Sequence, residues 1–199
     1  YAHHRGLHCF PPRRSSDLLM ESGNIYCWGS GYYGKMGNGE PWNDDYVNTE
    51  MRQVLLPEGQ GGQTVSISGG HICTILDNGD VYCWGRGNQG QLGYGGTSNR
   101  NIPTKVNLPG QRSAIAISTG AFMTCAITRD GMGYCWGEND EGQLGNGTTN
   151  SRRTTPVEVL FPSGSTPVSI SAGDDFSCAL MDNRKVMCWG ENNDGRLGQ

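Results

Sequence analysis

A four-residue motif that recurs four times at a nearly constant interval constrains this chain more than any other feature. The copies are Tyr26–Gly29, Tyr82–Gly85, Tyr134–Gly137 and Met187–Gly190, each ending in Cys-Trp-Gly. Their tryptophans are 56, 52 and 53 positions apart. A fixed period of this length indicates a repeat architecture, in which each repeat is one supersecondary unit stacked on the next.

Each motif is followed at the same offset by a Gly-x-Leu/Met-Gly segment. These segments are 34–37, 90–93, 142–145 and 195–198. The last three copies are also preceded by an alternating apolar segment that ends at a glycine. Several features in register over four copies exclude a chance match.

The pattern within one repeat is that of β-structure. The stretch 72–76, the turn Asp77-Asn78-Gly79 and the stretch 80–84 predict a hairpin, with a third strand before it. A fourth strand is expected near 102–108 or 156–160. The 32 glycines fit a chain of short strands joined by tight turns. Four strands in roughly 50 residues, repeated, predict the blades of a β-propeller.

We therefore predict an all-β fold, a partial β-propeller of about three and a half four-stranded blades. The repeats are placed near 19–56, 57–109, 110–162 and 163–199, and the chain is expected to be a piece of a longer protein. The repeated tryptophans and leucines are interpreted as residues that pack between neighbouring blades. They are Trp28, Trp84, Trp136, Trp189, Leu92, Leu144 and Leu197.

The signature Cys-Trp-Gly followed by Asn-x-x-Gly-x-Leu-Gly resembles the regulator-of-chromosome-condensation repeat. The last two copies match it fully, with Asn139 and Asn192, whereas the second has Gly87 at the asparagine position. The first copy departs most, with Gly31 for the asparagine and Met36 for the leucine. The resemblance implies a seven-bladed ring that serves as an interaction platform, here of a disulfide-containing, exported type.

The cysteines pair by spacing, ten residues apart within each of the last three hairpins. A three-residue loop midway places the two cysteines of a pair directly opposite each other, within reach of a disulfide. The third loop ends in Arg184, which must then adopt the left-handed conformation that glycine supplies in the other two. The predicted bonds are Cys73–Cys83, Cys125–Cys135 and Cys178–Cys188.

Three such bonds indicate an oxidising compartment, extracellular or at the cell surface. The alternative is three pairs of reduced, buried thiols in a cytoplasmic protein. A zinc site is less favoured, because only two cysteines meet in each blade and no histidine joins them.

The first eighteen residues do not follow the repeat. The stretch 8–18 resembles one reading frame of a sequencing adapter, so we expect residues 1–18 to be a disordered artefact. Asp17 supports this interpretation, because it stands ten residues before Cys27, where the other repeats have cysteine. The alternative is a genuine basic leader.

The charge of the chain argues against nucleic acid as a partner. The formal net charge is −4, and it becomes about −6 without residues 1–18, which hold three arginines and one aspartate. An acidic surface repels phosphates. The sequence also contains no apolar stretch long enough to be a membrane segment.

The sequence contains no recognisable catalytic or cofactor-binding motif. We therefore expect that the protein is not an enzyme and has no cofactor or metal site. His71 is the only histidine after residue 18, and Met123 and Phe176 stand at its repeat positions. The stretches 138–142 and 191–195 are acidic, but they lack the spacing of a calcium loop and read as turns. Asn146-Gly147-Thr148 is a glycosylation sequon.

The leading functional hypothesis is a non-catalytic interaction scaffold, exported or at the cell surface, that binds another protein or a glycan. The longest variable segments are 40–53 and 94–101, and the first carries Trp42 and Tyr46, the candidate aromatic contacts. A buried contact between blades explains Trp42 equally well. One alternative is a guanine-nucleotide exchange factor for a small GTPase, by family analogy. A second alternative is a secreted propeller that inhibits an enzyme.

Overall fold

The computed structural model describes residues 15–42, 47–149 and 151–198. These residues form four antiparallel sheets and two three-residue 3-10 helices, Tyr32–Gly34 and Pro109–Gln111. The all-β propeller predicted from the repeat is confirmed, with one sheet per repeat. Neither helix of the described part is long enough to cross a membrane.

Two of the blades have four strands each. Blade 2 has the strand order β4-β5-β6-β7, and blade 3 has the order β8-β9-β10-β11. The strands of blade 2 are Gly62–Ile67, His71–Leu76, Val81–Gly85 and Arg100–Lys105. Those of blade 3 are Ala114–Thr119, Met123–Thr128, Gly133–Gly137 and Arg153–Glu158.

The other two blades have three described strands each. Blade 1 consists of β1, β2 and β3, which match the last three strands of a four-stranded blade, and blade 4 of β12, β13 and β14, which match the first three. The strands of blade 1 are Ser15–Leu19, Ile25–Ser30 and Val47–Gln53. Those of blade 4 are Pro167–Ala172, Phe176–Met181 and Val186–Gly190.

A disulfide joins the second and third strands of blades 2, 3 and 4. The bonded pairs are Cys73–Cys83, Cys125–Cys135 and Cys178–Cys188, and in each the two cysteines are paired in register. The turns between these strands contain a residue with positive φ. It is Gly79 in blade 2 and Gly131 in blade 3, while Arg184 takes the same conformation in blade 4 at φ +67°.

The hydrophobic core lies between the blades. Three clusters of buried side chains fill the three interfaces between blades. At each interface, the repeated tryptophan of the later of the two blades lies in the cluster or packs against it. Trp84, Trp136, Leu92 and Leu144 are fully buried there. Trp28 and Leu197 lie at the two ends of the array and are half-buried. The stack is therefore held together blade to blade, as expected for a repeat protein.

One hydrogen bond repeats at all three interfaces. The indole N–H of each tryptophan donates to the backbone carbonyl that precedes the repeated Leu or Met of the previous blade. The pairs are Trp84 with Lys35 at 2.9 Å, Trp136 with Gln91 at 2.8 Å and Trp189 with Gln143 at 2.9 Å. We call this bond the tryptophan clasp.

The start of the propeller differs from the boundary predicted at residue 19. Ser15–Leu19 form β1, which pairs with β2, so four residues of the stretch expected to be disordered lie in a sheet. Backbone pairing explains this, because an edge of β2 accepts an extended chain whatever its origin. Residues 1–14 lie outside the described part, and the artefact interpretation stays a prediction.

Asp17 occupies the position of the first cysteine of a hairpin pair. It faces Cys27 in register as Cys73 faces Cys83, and Cys27 is buried and free. Blade 1 therefore has the strand geometry of a disulfide-bonded hairpin with only one of the two sulfur atoms.

We predict that Asp17→Cys forms a fourth disulfide with Cys27. Closing a loop of this length restricts the unfolded chain by about 2–3 kcal/mol, so the free energy of unfolding should rise by about that amount. Thermal unfolding with and without reductant measures the gain, and peptide mapping identifies the bond. Asp17→Ser is the control without sulfur. A thiol at position 17 that stays free under oxidising conditions would contradict the register.

Candidate functional site

One edge of the propeller brings together loops from every blade, and we call it the Trp-Gly face. It consists of the residues that follow each Trp-Gly and of the loops between the first two strands of blades 2, 3 and 4. The antiparallel order of the strands places both kinds of loop at the same edge. Three backbone hydrogen bonds link them: Arg86 to Gly70, Glu138 to Phe122 and Glu191 to Asp175.

Arg86 lies between two aromatic rings from neighbouring blades. Its guanidinium carbon is 5.2 Å from the centre of the Tyr33 ring and 4.6 Å from that of Phe122. Its Nε donates to the Oδ1 of Asn88 at 2.7 Å. Cation–π contacts on both sides hold the charge in one place at the centre of the face.

Carboxylates crowd the part of the face that belongs to blades 3 and 4. Burial, and then the negative charges of Asp175 and Asp140, raise the pKa of Glu138. Burial, followed by the charges of Glu191 and Asp174, likewise raises the pKa of Asp175. These carboxylates repel one another, and a cation placed among them would relieve the repulsion.

Some of these carboxylates have partners within the chain. Arg196 forms ion pairs with Glu191 at 2.6 Å and with Asp194 at 2.9 Å. Gln89 donates a hydrogen bond of 2.7 Å to the carboxylate of Glu138. Glu138 and Asp175 have no ion pair to a cation among the residues that the structure describes.

A cleft of about 680 Å³ lies inside the arc, along the first strands of the blades. Hydroxyl groups on its wall bond to the neighbouring blade. Ser66 Oγ is 3.0 Å from Thr119 Oγ1, and it also accepts a hydrogen bond of 3.0 Å from the backbone N–H of Thr119. These hydroxyls therefore join first strands to one another rather than forming a nucleophile with a base.

His71 is fully buried and lies between blades 2 and 3. Its Nδ1 is 3.0 Å from Ser68 Oγ, and its Nε2 is 2.7 Å from Thr124 Oγ1. Thr124 in turn donates to the carbonyl of Gln91, which also accepts the Trp136 clasp. Burial, with a smaller effect of the charge on Arg86, lowers the pKa of His71 to about 3. The histidine is thus a neutral link in a structural network.

Asp17 is the other strongly shifted group. Neither of its carboxylate oxygens accepts a hydrogen bond from a described nitrogen or hydroxyl group. Burial raises the pKa of Asp17 to about 7, and the Cys27 thiol and the ammonium of Lys35 lower it only in part. The pKa of the Cys27 thiol is also raised by burial and by Asp17, which keeps the thiol protonated and unreactive.

The acidic turns are explained by the asparagine of the repeat signature. The side-chain oxygen of Asn139 accepts a hydrogen bond from the backbone N–H of Leu144, and Asn192 does the same for Leu197. These asparagines hold the turn that carries the repeated leucine. The described residues contain no group of three His, Cys, Asp or Glu side chains that could bind a metal ion.

The candidate contact residues lie in a different loop. Trp42 is 36% exposed and lies with Met36, Pro41 and Asn48 around a shallow groove. Tyr46 lies outside the described residues. The Trp-Gly face was not predicted from the sequence, although Arg86, Glu138 and Glu191 all stand directly after a Trp-Gly pair and could have been found by that position.

The opposite shifts of His71 and Asp17 lead to a prediction about pH. Between pH 4 and 6.5 the unfolded chain carries a proton on His71 that the folded chain lacks, so this residue lowers stability as the pH falls. The folded chain carries a proton on Asp17 that the unfolded chain lacks, so this residue lowers stability as the pH rises. In the wild type the two effects offset each other.

Substituting one residue exposes the effect of the other. The free energy of unfolding of His71→Met minus that of the wild type should increase by about 1.4 kcal/mol for each unit by which the pH is lowered from 6 to 4. That of Asp17→Asn should rise by a similar amount as the pH increases over the same range. Urea unfolding at several pH values measures both, and parallel pH profiles for all three proteins would contradict the assignment.

Comparison with known proteins places the repeat in a family. The model of the regulator of chromosome condensation (RCC1) repeat matches residues 78–127 and 130–180, and a second model of this repeat matches 63–91, 114–143 and 168–196. The chain is 32% identical over 188 residues to the human E3 ubiquitin-protein ligase HERC2, covering 92% of this chain and 4% of that protein.

Solved propellers show the same fold. Human WBSCR16 superposes with a TM-score of 0.81 at 23% identity, over 89% of this chain and 45% of that one. Prp20p from Saccharomyces cerevisiae superposes with a TM-score of 0.74 at 18% identity, over 97% of this chain and 45% of that one. This chain thus spans less than half the length of these propellers. It belongs to the RCC1 repeat family.

Proposed function

We propose that this chain is a non-catalytic protein-interaction module that works outside the cytoplasm and binds a partner carrying basic residues through its Trp-Gly face. The crowding of carboxylates on blades 3 and 4 is the observation that carries the proposal. The flat sides that face each other at the three interfaces are occupied by neighbouring blades, whereas this edge presents charged side chains to the solvent.

The charge balance of the face indicates the chemistry of the partner. Three arginines, Arg86, Arg152 and Arg196, lie at this face, and the buried Lys35 donates to the carbonyl of Gly69 there. The carboxylates outnumber these four cations. The carboxylates are Glu138, Asp140, Glu141, Asp174, Asp175, Glu191 and Asp194. Lysine or arginine side chains of a partner would pair with the carboxylates that form no ion pair with an arginine of this chain. Such charge complementarity gives fast and selective association.

The disulfides support a location outside the cytoplasm. Bonds of this kind persist in oxidising compartments and are rare where glutathione keeps thiols reduced. Each disulfide connects two neighbouring strands of its own blade. Together the three bonds use six of the seven cysteines of the described residues.

The redox state of the native protein tests the location. We expect protein isolated from its source under thiol-blocking conditions to carry three disulfides, with Cys27 free. Mass spectrometry with and without reductant counts them, and peptide mapping assigns the pairs. Six free thiols at positions 73, 83, 125, 135, 178 and 188 would place the protein in a reducing compartment and contradict this part of the proposal.

Charge reversal on the face tests the mode of binding. With a partner identified by cross-linking in the source material and then purified, Asp175→Lys should weaken binding at least tenfold, because it adds a positive charge among the carboxylates. Glu58→Lys is the matched control. It makes the same kind of change at the opposite edge of the propeller, next to the turn that holds Asp77.

The wild-type affinity should also fall as salt increases, whereas Asp175→Lys should be less sensitive to salt. Calorimetric titration at several salt concentrations measures both effects. Equal losses from Asp175→Lys and Glu58→Lys would contradict binding at the Trp-Gly face. Unchanged affinity in Asp175→Lys with a loss in Trp42→Ala would move the contact to the groove beside Trp42.

Guanine-nucleotide exchange on a small GTPase is the second candidate function, favoured by the fold shared with Prp20p, whose structure is described with its binding to Gsp1p and histones. Release of labelled GDP from purified GTPases in the presence of the chain measures this activity. Accelerated release, together with free thiols in the native protein, would make exchange the better assignment.

A further inference from the structure

The only Asn-x-Ser/Thr sequence of the chain stands in the loop between β10 and β11 of blade 3. It is Asn146-Gly147-Thr148, and it follows directly on the repeated Gly-x-Leu-Gly segment. Asn146 is half-buried, whereas Gly147 and Thr148 are exposed. The loop therefore presents an acceptor sequence for an asparagine-linked glycan at the surface, where such a bulky group fits.

The side-chain oxygen of Asn146 is held by donors from its own loop. The backbone N–H of Thr148 donates to Oδ1 at 3.2 Å, which forms an Asx turn, and the Thr148 hydroxyl donates to the same oxygen at 2.8 Å. The buried Asn139 adds a third contact from its Nδ2 at 3.4 Å. A backbone N–H can only donate, so the atom that it meets is the amide oxygen and not the nitrogen.

This arrangement leaves the amide nitrogen of Asn146 free. Its Nδ2 donates to no group among the described residues, and it is not one of the buried polar atoms without a partner, so it reaches the solvent. A sugar attached to this nitrogen would therefore break no hydrogen bond of the loop. The oxygen side of the amide keeps the turn, and the nitrogen side is available for modification.

Blade 1 contains the same turn without the hydroxyl group. Asn38 stands at the position of Asn146, and its Oδ1 accepts the backbone N–H of Glu40 at 3.3 Å. The glycine that follows the asparagine has a positive φ in both blades, +77° and +75°. The turn thus explains the repeated asparagine and glycine, whereas Thr148 supplies the hydroxyl that an acceptor sequence also needs.

We propose that Asn146 carries an N-linked glycan. Its Nδ2 bonds to the anomeric carbon of the first sugar and loses one proton. The bond from that carbon to the phosphate of a glycosyl diphosphate donor breaks, and the diphosphate leaves with the electron pair. A separate glycosyltransferase catalyses this step, and the chain contributes the acceptor. The inference rests on the proposed location outside the cytoplasm, because these glycans are added where disulfides also form.

Peptide mapping of the protein isolated from its source tests the proposal. We expect the peptide with Asn146 to carry the added mass of a series of sugar residues, and the peptide with Asn38 to carry none. Enzymatic release of the glycan in water enriched in heavy oxygen converts Asn146 to an aspartate that carries the heavy isotope. Spontaneous deamidation, to which Asn-Gly pairs are prone, gives light-oxygen aspartate before that treatment, so the two changes are distinguished.

Variants of the 199-residue chain secreted from a eukaryotic host separate the glycan from the turn. Asn146→Asp keeps an oxygen acceptor for Thr148 and Asn139 but has no amide nitrogen, so it should lose the glycan mass completely. Thr148→Ser should keep the modification, and Thr148→Val should abolish it. Glu40→Thr should add a second glycan at Asn38, because it completes the acceptor sequence on an equivalent turn. Circular dichroism and a thiol count show that each variant is folded with its disulfides intact.

The outcomes separate this inference from the proposed function. Native protein with three disulfides and an unmodified Asn146 would overturn the glycan, whatever the host adds, and would leave the location outside the cytoplasm intact. Free thiols together with an unmodified Asn146 would contradict both. A glycan that persists in Asn146→Asp would place the modification on another residue and would also overturn the assignment.

Discussion

The tryptophan clasp is the interaction on which the array depends. Each clasp is buried or nearly so, and leaving either of its polar groups unpaired would cost about 1–3 kcal/mol. It also explains the last glycine of the repeated Gly-x-Leu-Gly segment. A Cβ at Gly93 would lie 2.7 Å from the indole nitrogen of Trp136, and Gly93 has a φ of +69°. The motif and the tryptophan of the next blade therefore constrain each other.

The three interfaces share the clasp but differ around it. Between blades 2 and 3, the carbonyl of Gln91 accepts a second bond from Thr124, and His71 extends the network to Ser68. Between blades 3 and 4, Ser177 replaces Thr124 and donates to the carbonyl of Gln143. Between blades 1 and 2, Ile72 stands at this position and adds no bond. A fully buried histidine is thus tolerated because its neighbours satisfy both ring nitrogens.

Sequence reasoning predicted the parts of the fold that are local and repeated. The hairpins and the cysteine register follow from spacing alone, and even the left-handed backbone of Arg184 could be anticipated. It did not predict β1 at Ser15–Leu19, because a strand paired by its backbone leaves little trace in side chains. It also missed the contact of Arg86 with Tyr33 and Phe122, since those rings come from different blades and only tertiary packing brings them together.

The same architecture separates residues that hold the fold from residues free to vary. The Trp-Gly pair is constant in all four copies, whereas the next residue is Ser30, Arg86, Glu138 or Glu191. The pair is fixed by the clasp, but the residue after it points to the edge of the propeller, where a change of charge leaves the packing between blades intact. An acidic sector can therefore arise on blades 3 and 4, and its cost to stability comes from the partial burial of Glu138 and Asp175 and from the repulsion between carboxylates. The fold supplies the platform, and the residues at its edge decide what the platform binds.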